Sequence, residues 1–142
     1  MLSAKIDLSA LQKLKDLPRK IEQAIVATNI QLWQDVVESA PVITGFARAS
    51  WFPSLDQPLP GPMAGAEPPD PESGVVLPPP AMPASTLTES AGRTFFLANS
   101  APYIARLEYE AGFSPRGYGQ VRAAVTKYQI NLEANIARLV PK

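Results

Sequence analysis

Eleven of the 16 prolines fall between Pro53 and Pro83, three of them in a row at Pro78, Pro79 and Pro80. Each removes a main-chain donor and fixes φ, which excludes helix interior and central strand alike. The stretch therefore predicts an extended arm or loop of polyproline character, placed at residues 53–90. Charge sets it apart too. No Lys or Arg lies between Arg48 and Arg93, while Asp56, Glu67, Asp70, Glu72 and Glu89 do. The arm is thus −5 and the rest +5, because 13 basic residues face the eight remaining acidic ones. A net charge of zero hides this separation.

The flanks carry helical patterns. An N-terminal helix is predicted over residues 8–17, a unit of its own within residues 1–17. Leu8, Leu11, Leu14 and Leu17 form its row, and Asp7 or Ser9 its cap. Pro18 interrupts it and suits the first turn of a second helix ending near Ser39, where the missing N–H costs nothing. Ile21, Ile25, Thr28, Leu32 and Val36 give that helix one apolar stripe, and Pro41 and Gly45 end it. Phe46–Phe52 alternates in part and predicts a strand, and Thr94–Asn99 predicts a second. A short helix or turn runs from Ala101-Pro102 to Gly112. The last helix covers residues 118–139, with Val121, Val125, Tyr128, Leu132, Ile136 and Leu139 as its stripe and Pro141 after it.

The residue inventory speaks against catalysis. With no histidine and no cysteine, the commonest general base near neutral pH is missing, as are imidazole and thiolate metal ligands and any disulfide. Glu108 and Glu110 are the one close carboxylate pair beside an aromatic. Two residues apart on a helix they point about 200° from each other and cannot converge on one bond, so a solvated turn is their reading. Gly117-Tyr118-Gly119 opens a helix, but lacks the third glycine and preceding strand of a phosphate-binding fingerprint. No catalytic residue, cofactor or metal site is predicted. A neutral total argues against a nucleic-acid clamp. No apolar run is long enough to span a bilayer, and the first residues lack the apolar run of a signal peptide.

What remains is a surface for other proteins. Core packing is the ordinary role of Trp33, Trp51 and Phe52. Trp51 and Phe52 also stand where the chain leaves for the arm, which makes them, with Pro78, Pro79 and Pro80, candidates for a subunit interface. Arg48, Arg93 and Arg106, with Arg116 and Arg122, supply a basic face able to pair with a neighbour's acidic arm.

The order of these pieces is informative. The second helix ends in APVITGFARASW, with Thr44, Gly45, Ser50 and Trp51 in a Thr-Gly-x-x-x-x-Ser-Trp pattern. After the arm comes Asn-x-x-Pro-Tyr-x-x-x-Leu-Glu-Tyr, carried by Asn99, Pro102, Tyr103, Leu107, Glu108 and Tyr109, and then SPRGYGQVRAAVTKYQ. Over about residues 18–52 and 93–130 the chain resembles the neck or tail-completion (head–tail joining) proteins of long-tailed double-stranded DNA bacteriophages. The glycine usual soon after Leu-Glu-Tyr is delayed here to Gly112.

The resemblance implies an α+β fold, long amphipathic helices packed on a small antiparallel sheet, with residues 18–142 as the domain and the proline-rich arm interrupting it. It implies a structural virion protein, not an enzyme, assembled in the host cytoplasm. Its partners would be copies of itself in a hexameric or dodecameric ring, the connector or adaptor, and the tail terminator, tube or sheath proteins. Genomic DNA would pass non-specifically through the lumen, and no membrane is involved. A tail-terminator or stopper ring of the same virion is the near alternative. A cellular adaptor offering Pro78-Pro79-Pro80 to a polyproline-reading domain is the distant one. The acidic residues Asp56, Glu67, Asp70, Glu72 and Glu89 would either line the lumen and repel phosphate or hold an adjacent subunit.

Overall fold

The computed structural model describes residues 8–140, with side chains from Asp16 onward. The row of Leu8, Leu11 and Leu14, the Asp7 cap and the stop at Pro141 lie outside the described side chains or residues. The elements in order are α1 (Leu8–Ser39), α2 (Phe46–Ala49), β1 (Trp51–Leu55), α3 (Ala84–Thr88), β2 (Phe95–Asn99), α4 (Ile104–Tyr109) and α5 (Gln120–Leu139), with a 3₁₀ turn at Pro71–Ser73. The fold is α+β: helices with one two-stranded antiparallel sheet.

The predicted break at Pro18 does not occur. α1 runs through it as one helix of 32 residues. Pro18 has no N–H to give the Leu14 carbonyl, so the helix forgoes that rung and continues on good helix formers to either side. α5 lies antiparallel to α1, with residues 120–127 beside 35–39 and Asn135 beside Thr28 and Gln31.

This helix pair meets along a seam that is partly polar. The Asn135 amide donates to Thr28 Oγ1 (3.1 Å) and Gln31 Oε1 (2.8 Å). Tyr128 donates to Asn29 Oδ1 at 2.6 Å, and Asn29 Nδ2 donates to Ser90 Oγ at 2.7 Å. Thr28 and Asn29 are fully buried. Pairing removes most of the cost of burying such groups. The expected stripes shift accordingly: Thr28 and Val36 are buried, but Ile21 and Val125 are exposed, and Ala124 takes the place assigned to Val125.

Phe46–Phe52 is not one strand. Phe46 and Ala47 are adjacent and both buried, which an alternating strand facing one core cannot achieve. A helical turn solves this. Ser50 N and Ser50 Oγ both donate to the Phe46 carbonyl, at 3.0 and 2.7 Å, and β1 begins only at Trp51. Its register with β2 runs from Trp51↔Asn99 to Leu55↔Phe95. The sheet face bearing Phe95 and Leu97 packs on the core cluster of Trp33, Val36, Val37, Trp51, Leu87 and Ala124. A second cluster gathers Phe46, Ala47, Ala101 and Leu107.

Candidate assembly surface

The proline-rich segment is not an arm standing off the domain. Pro53 is inside β1, Leu87 of α3 is buried in the core, and the intervening loop comes back to its own subunit at Leu77. Leu77 N donates to the Thr44 carbonyl at 2.6 Å, and Arg48 donates to the Leu77 carbonyl at 2.8 Å. Gly45 makes this approach possible. Its φ is +75°, and a Cβ there would stand 2.4 Å from the Leu77 oxygen, so only glycine fits. A second touch point sets Gly61 against the Phe52 ring.

Between these anchors the loop stays on the surface. Val75 and Val76 are 49% and 57% exposed, Leu59 and Met82 are exposed as well, and Glu67, Asp70 and Glu72 share the same segment. Asp70 caps the 3₁₀ turn by accepting from Glu72 N at 3.0 Å. Asp56 pairs with Arg93, whose hydrogen bond holds its carboxyl below the usual carboxylate range. Thus one acidic residue of the loop is answered within its own chain. Glu67, Glu72 and Glu89 lie exposed.

The other candidate interface residues are scattered by the fold. Trp51 is 8% exposed and belongs to the core. It is not an accessible anchor, because β1 turns its indole onto Trp33 and α1. Phe52, on the opposite face of the sheet, is half-buried. Pro78, Pro79 and Pro80 border an open groove of about 380 Å³ with Trp33, Phe52 and Met63. Arg48 is tied to Leu77, and Arg106 pairs with Glu110 at 2.7 Å and stacks 4.1 Å over the Phe113 ring. Arg48 and Arg106 are thus both engaged within their own chain.

Glu108 overturns the solvated-turn reading. It is 7% exposed, and its carboxylate accepts from the Val121 and Arg122 amides at 3.0 Å each and from Arg122 Nε at 2.9 Å. Those amides open α5, whose own N-cap is Gly119 with no side chain to offer. Glu108 supplies the missing cap from another element. Arg122 closes the arrangement by donating to the Glu108 carbonyl and lying 4.8 Å from the Tyr109 ring. In the sequence this residue stands as half of a carboxylate pair and within the Leu-Glu-Tyr motif; what identifies its task is Gly119 at the helix start, a signal visible only beside the fold.

A cavity of about 520 Å³ opens between residues 41–47, the loop at Pro68–Pro71, and Tyr103, Leu107 and Phe113. It is mostly apolar. Its polar members are engaged internally: Thr44 Oγ1 accepts from Phe46 N, Asp70 from Glu72 N, and Arg116 donates to the Ala40 carbonyl. Burial raises the Tyr103 phenol above its ordinary value. No helix among the described residues is long and apolar enough to cross a membrane. Compared with known proteins, the chain matches no family model, no curated protein and no solved structure.

Proposed function

We propose that this chain is a structural subunit of a phage head–tail junction, forming a ring that joins connector to tail and leaves a lumen for DNA. The motif order named above motivates the placement. The observation that carries an assembly role is the loop of residues 56–83, which presents Leu59, Val75, Val76 and Met82 to solvent among Glu67, Asp70 and Glu72. Apolar side chains displayed on a surface loop gain free energy when another protein covers them. Because the loop is anchored at Leu77, it contributes a preshaped surface and not a free arm, so less ordering entropy opposes association.

The test is to measure the mass of the purified protein by light scattering, then image it by negative stain with and without its virion partners. Rings of six or 12 copies that incorporate into particles are the expected result. Monomers at every concentration that never enter particles would defeat the proposal. A position in a virion map separates tail completion from a terminator or stopper ring.

The 520 Å³ cavity favours a second reading, a site for a small apolar molecule. Since its polar groups already serve the fold, burial alone would drive binding there. Thermal-shift screening with small aromatic compounds tests it, and Leu107→Trp, which fills the cavity, should abolish any shift.

A further inference from the structure

The sheet has one closed edge and one open edge. Asp56 N donates to the Thr94 carbonyl at 2.8 Å, in register with the β1–β2 ladder. Bonded and non-bonded pairs alternate along an antiparallel ladder. Ser54↔Phe96 and Phe52↔Ala98 are therefore the bonded pairs, and the main-chain groups of Trp51, Pro53, Leu55, Phe95, Leu97 and Asn99 point outward. On β1 the middle outward position is Pro53, which has no N–H, and the loop covers the neighbouring Phe52 at Gly61. On β2 no hydrogen bond among the described residues reaches the main-chain groups of Phe95, Leu97 or Asn99. β2 also lacks the usual edge protection, since FFLAN holds neither proline nor charge.

The loop contains a segment that fits this edge. Glu72–Leu77 is its longest proline-free run, and Val75-Val76 its one pair of adjacent β-branched residues. Pro78 restricts Leu77 to extended geometry. Leu77 turns its N–H and C=O inward to Thr44 and Arg48, so those of Val76 face the other way, toward solvent. Charge agrees. Asp70 and Glu72 precede the run, and Arg93, still 44% exposed in its side chain, precedes β2.

We propose that the open edge of β2 takes the Val75–Leu77 run of a second copy of this chain as a parallel third strand, with Val76 opposite Ala98, its N–H donating to the Leu97 carbonyl and its C=O accepting from the Asn99 N–H. Edge and run are different surfaces of one subunit, so the contact is head-to-tail and repeats from copy to copy, closing a ring when the rotation allows. The inference rests on the assembly reading above and names the contact that builds it.

Because the chain has no cysteine, cross-linking is clean. Under oxidation or with a short bismaleimide, the double variant Val76→Cys/Ala98→Cys should give a ladder of covalent multimers, and each single variant none. Val76→Pro, a change within an already proline-rich loop, should weaken self-association at least tenfold with an unchanged melting temperature. Dimers from Ala98→Cys alone would show β2 pairing with β2 and overturn the proposal. Oligomers that persist without any ladder would overturn it while leaving the assembly reading intact. Monomers throughout would defeat both.

Discussion

Glu108 and Arg122 join two separate elements: the buried carboxylate on α4 receives both the main-chain N–H and the Nε of an arginine in the first turn of α5, at 3.0 and 2.9 Å. The carboxylate also answers the Val121 amide. Glu108→Ala would leave two helix-start donors without their acceptor, at a cost of about 2 kcal/mol. Glu108→Gln keeps an acceptor oxygen and should cost less. Arg122→Ala leaves both amides bonded and should cost least. Urea denaturation of the three variants checks the order, and Glu108→Ala as stable as the parent would refute the capping role.

Gly45 and Leu77 make the second prediction. Gly45→Ala places a methyl group 2.4 Å from the Leu77 oxygen at a φ of +75°, so the loop must lift or the turn must shift. The expected destabilisation is about 1–3 kcal/mol, from backbone strain plus lost contact. Faster cleavage by a Glu-specific protease at Glu72, which Ser73 follows, should accompany it. Unchanged proteolysis would mean that the Leu77 anchor does not hold the loop.

Period and composition carried the sequence reading as far as the two long helices, α4, β2 and the loop's position, but not α2 or α3, and each miss has a physical source. A helical stripe cannot choose between adjacent residues, and Ala124 won over Val125 because a small side chain lets α5 approach Trp33 and Val37. By composition Pro53 excludes a central strand, yet a proline costs a ladder nothing where its nitrogen faces outward. Trp51 stands at the loop's start in sequence, but its side of β1 is the core side. Glu108 could not be placed at all without knowing that α4 ends against the start of α5. Such long-range pairings leave no local pattern.

The polar seam between α1 and α5 gives a contrast within one helix. Asn135→Ala removes the donor shared by Thr28 Oγ1 and Gln31 Oε1 and should cost about 1–2 kcal/mol. Val125→Ala, at a position 57% exposed, should change stability by no more than about 0.5 kcal/mol. The stripe expected from sequence ranks these two the other way. Equilibrium unfolding of the pair decides between them, and a larger loss at Val125 would mean that α5 is rotated from the orientation described.

Acid sensitivity follows from two exposed ion pairs. Hydrogen bonds from Arg93 and Arg106 lower the carboxyl values of Asp56 and Glu110 respectively. A carboxyl lowered on folding stabilises the folded chain above its unfolded value, near 4, and loses that contribution as pH falls through the lower folded value. The melting temperature should therefore decline between about pH 4 and pH 2, and less steeply in Asp56→Asn/Glu110→Gln. Both pairs are solvent-exposed, so the difference between variant and parent should be small and should shrink in 1 M salt, where the screening length is about 3 Å. From about pH 5 to 8 no side chain of ordinary pKa titrates in a chain without histidine, and stability should be flat there. Melting curves across pH at two salt concentrations test all of this at once. Equal acid slopes in variant and parent would show that the two pairs contribute nothing to folding.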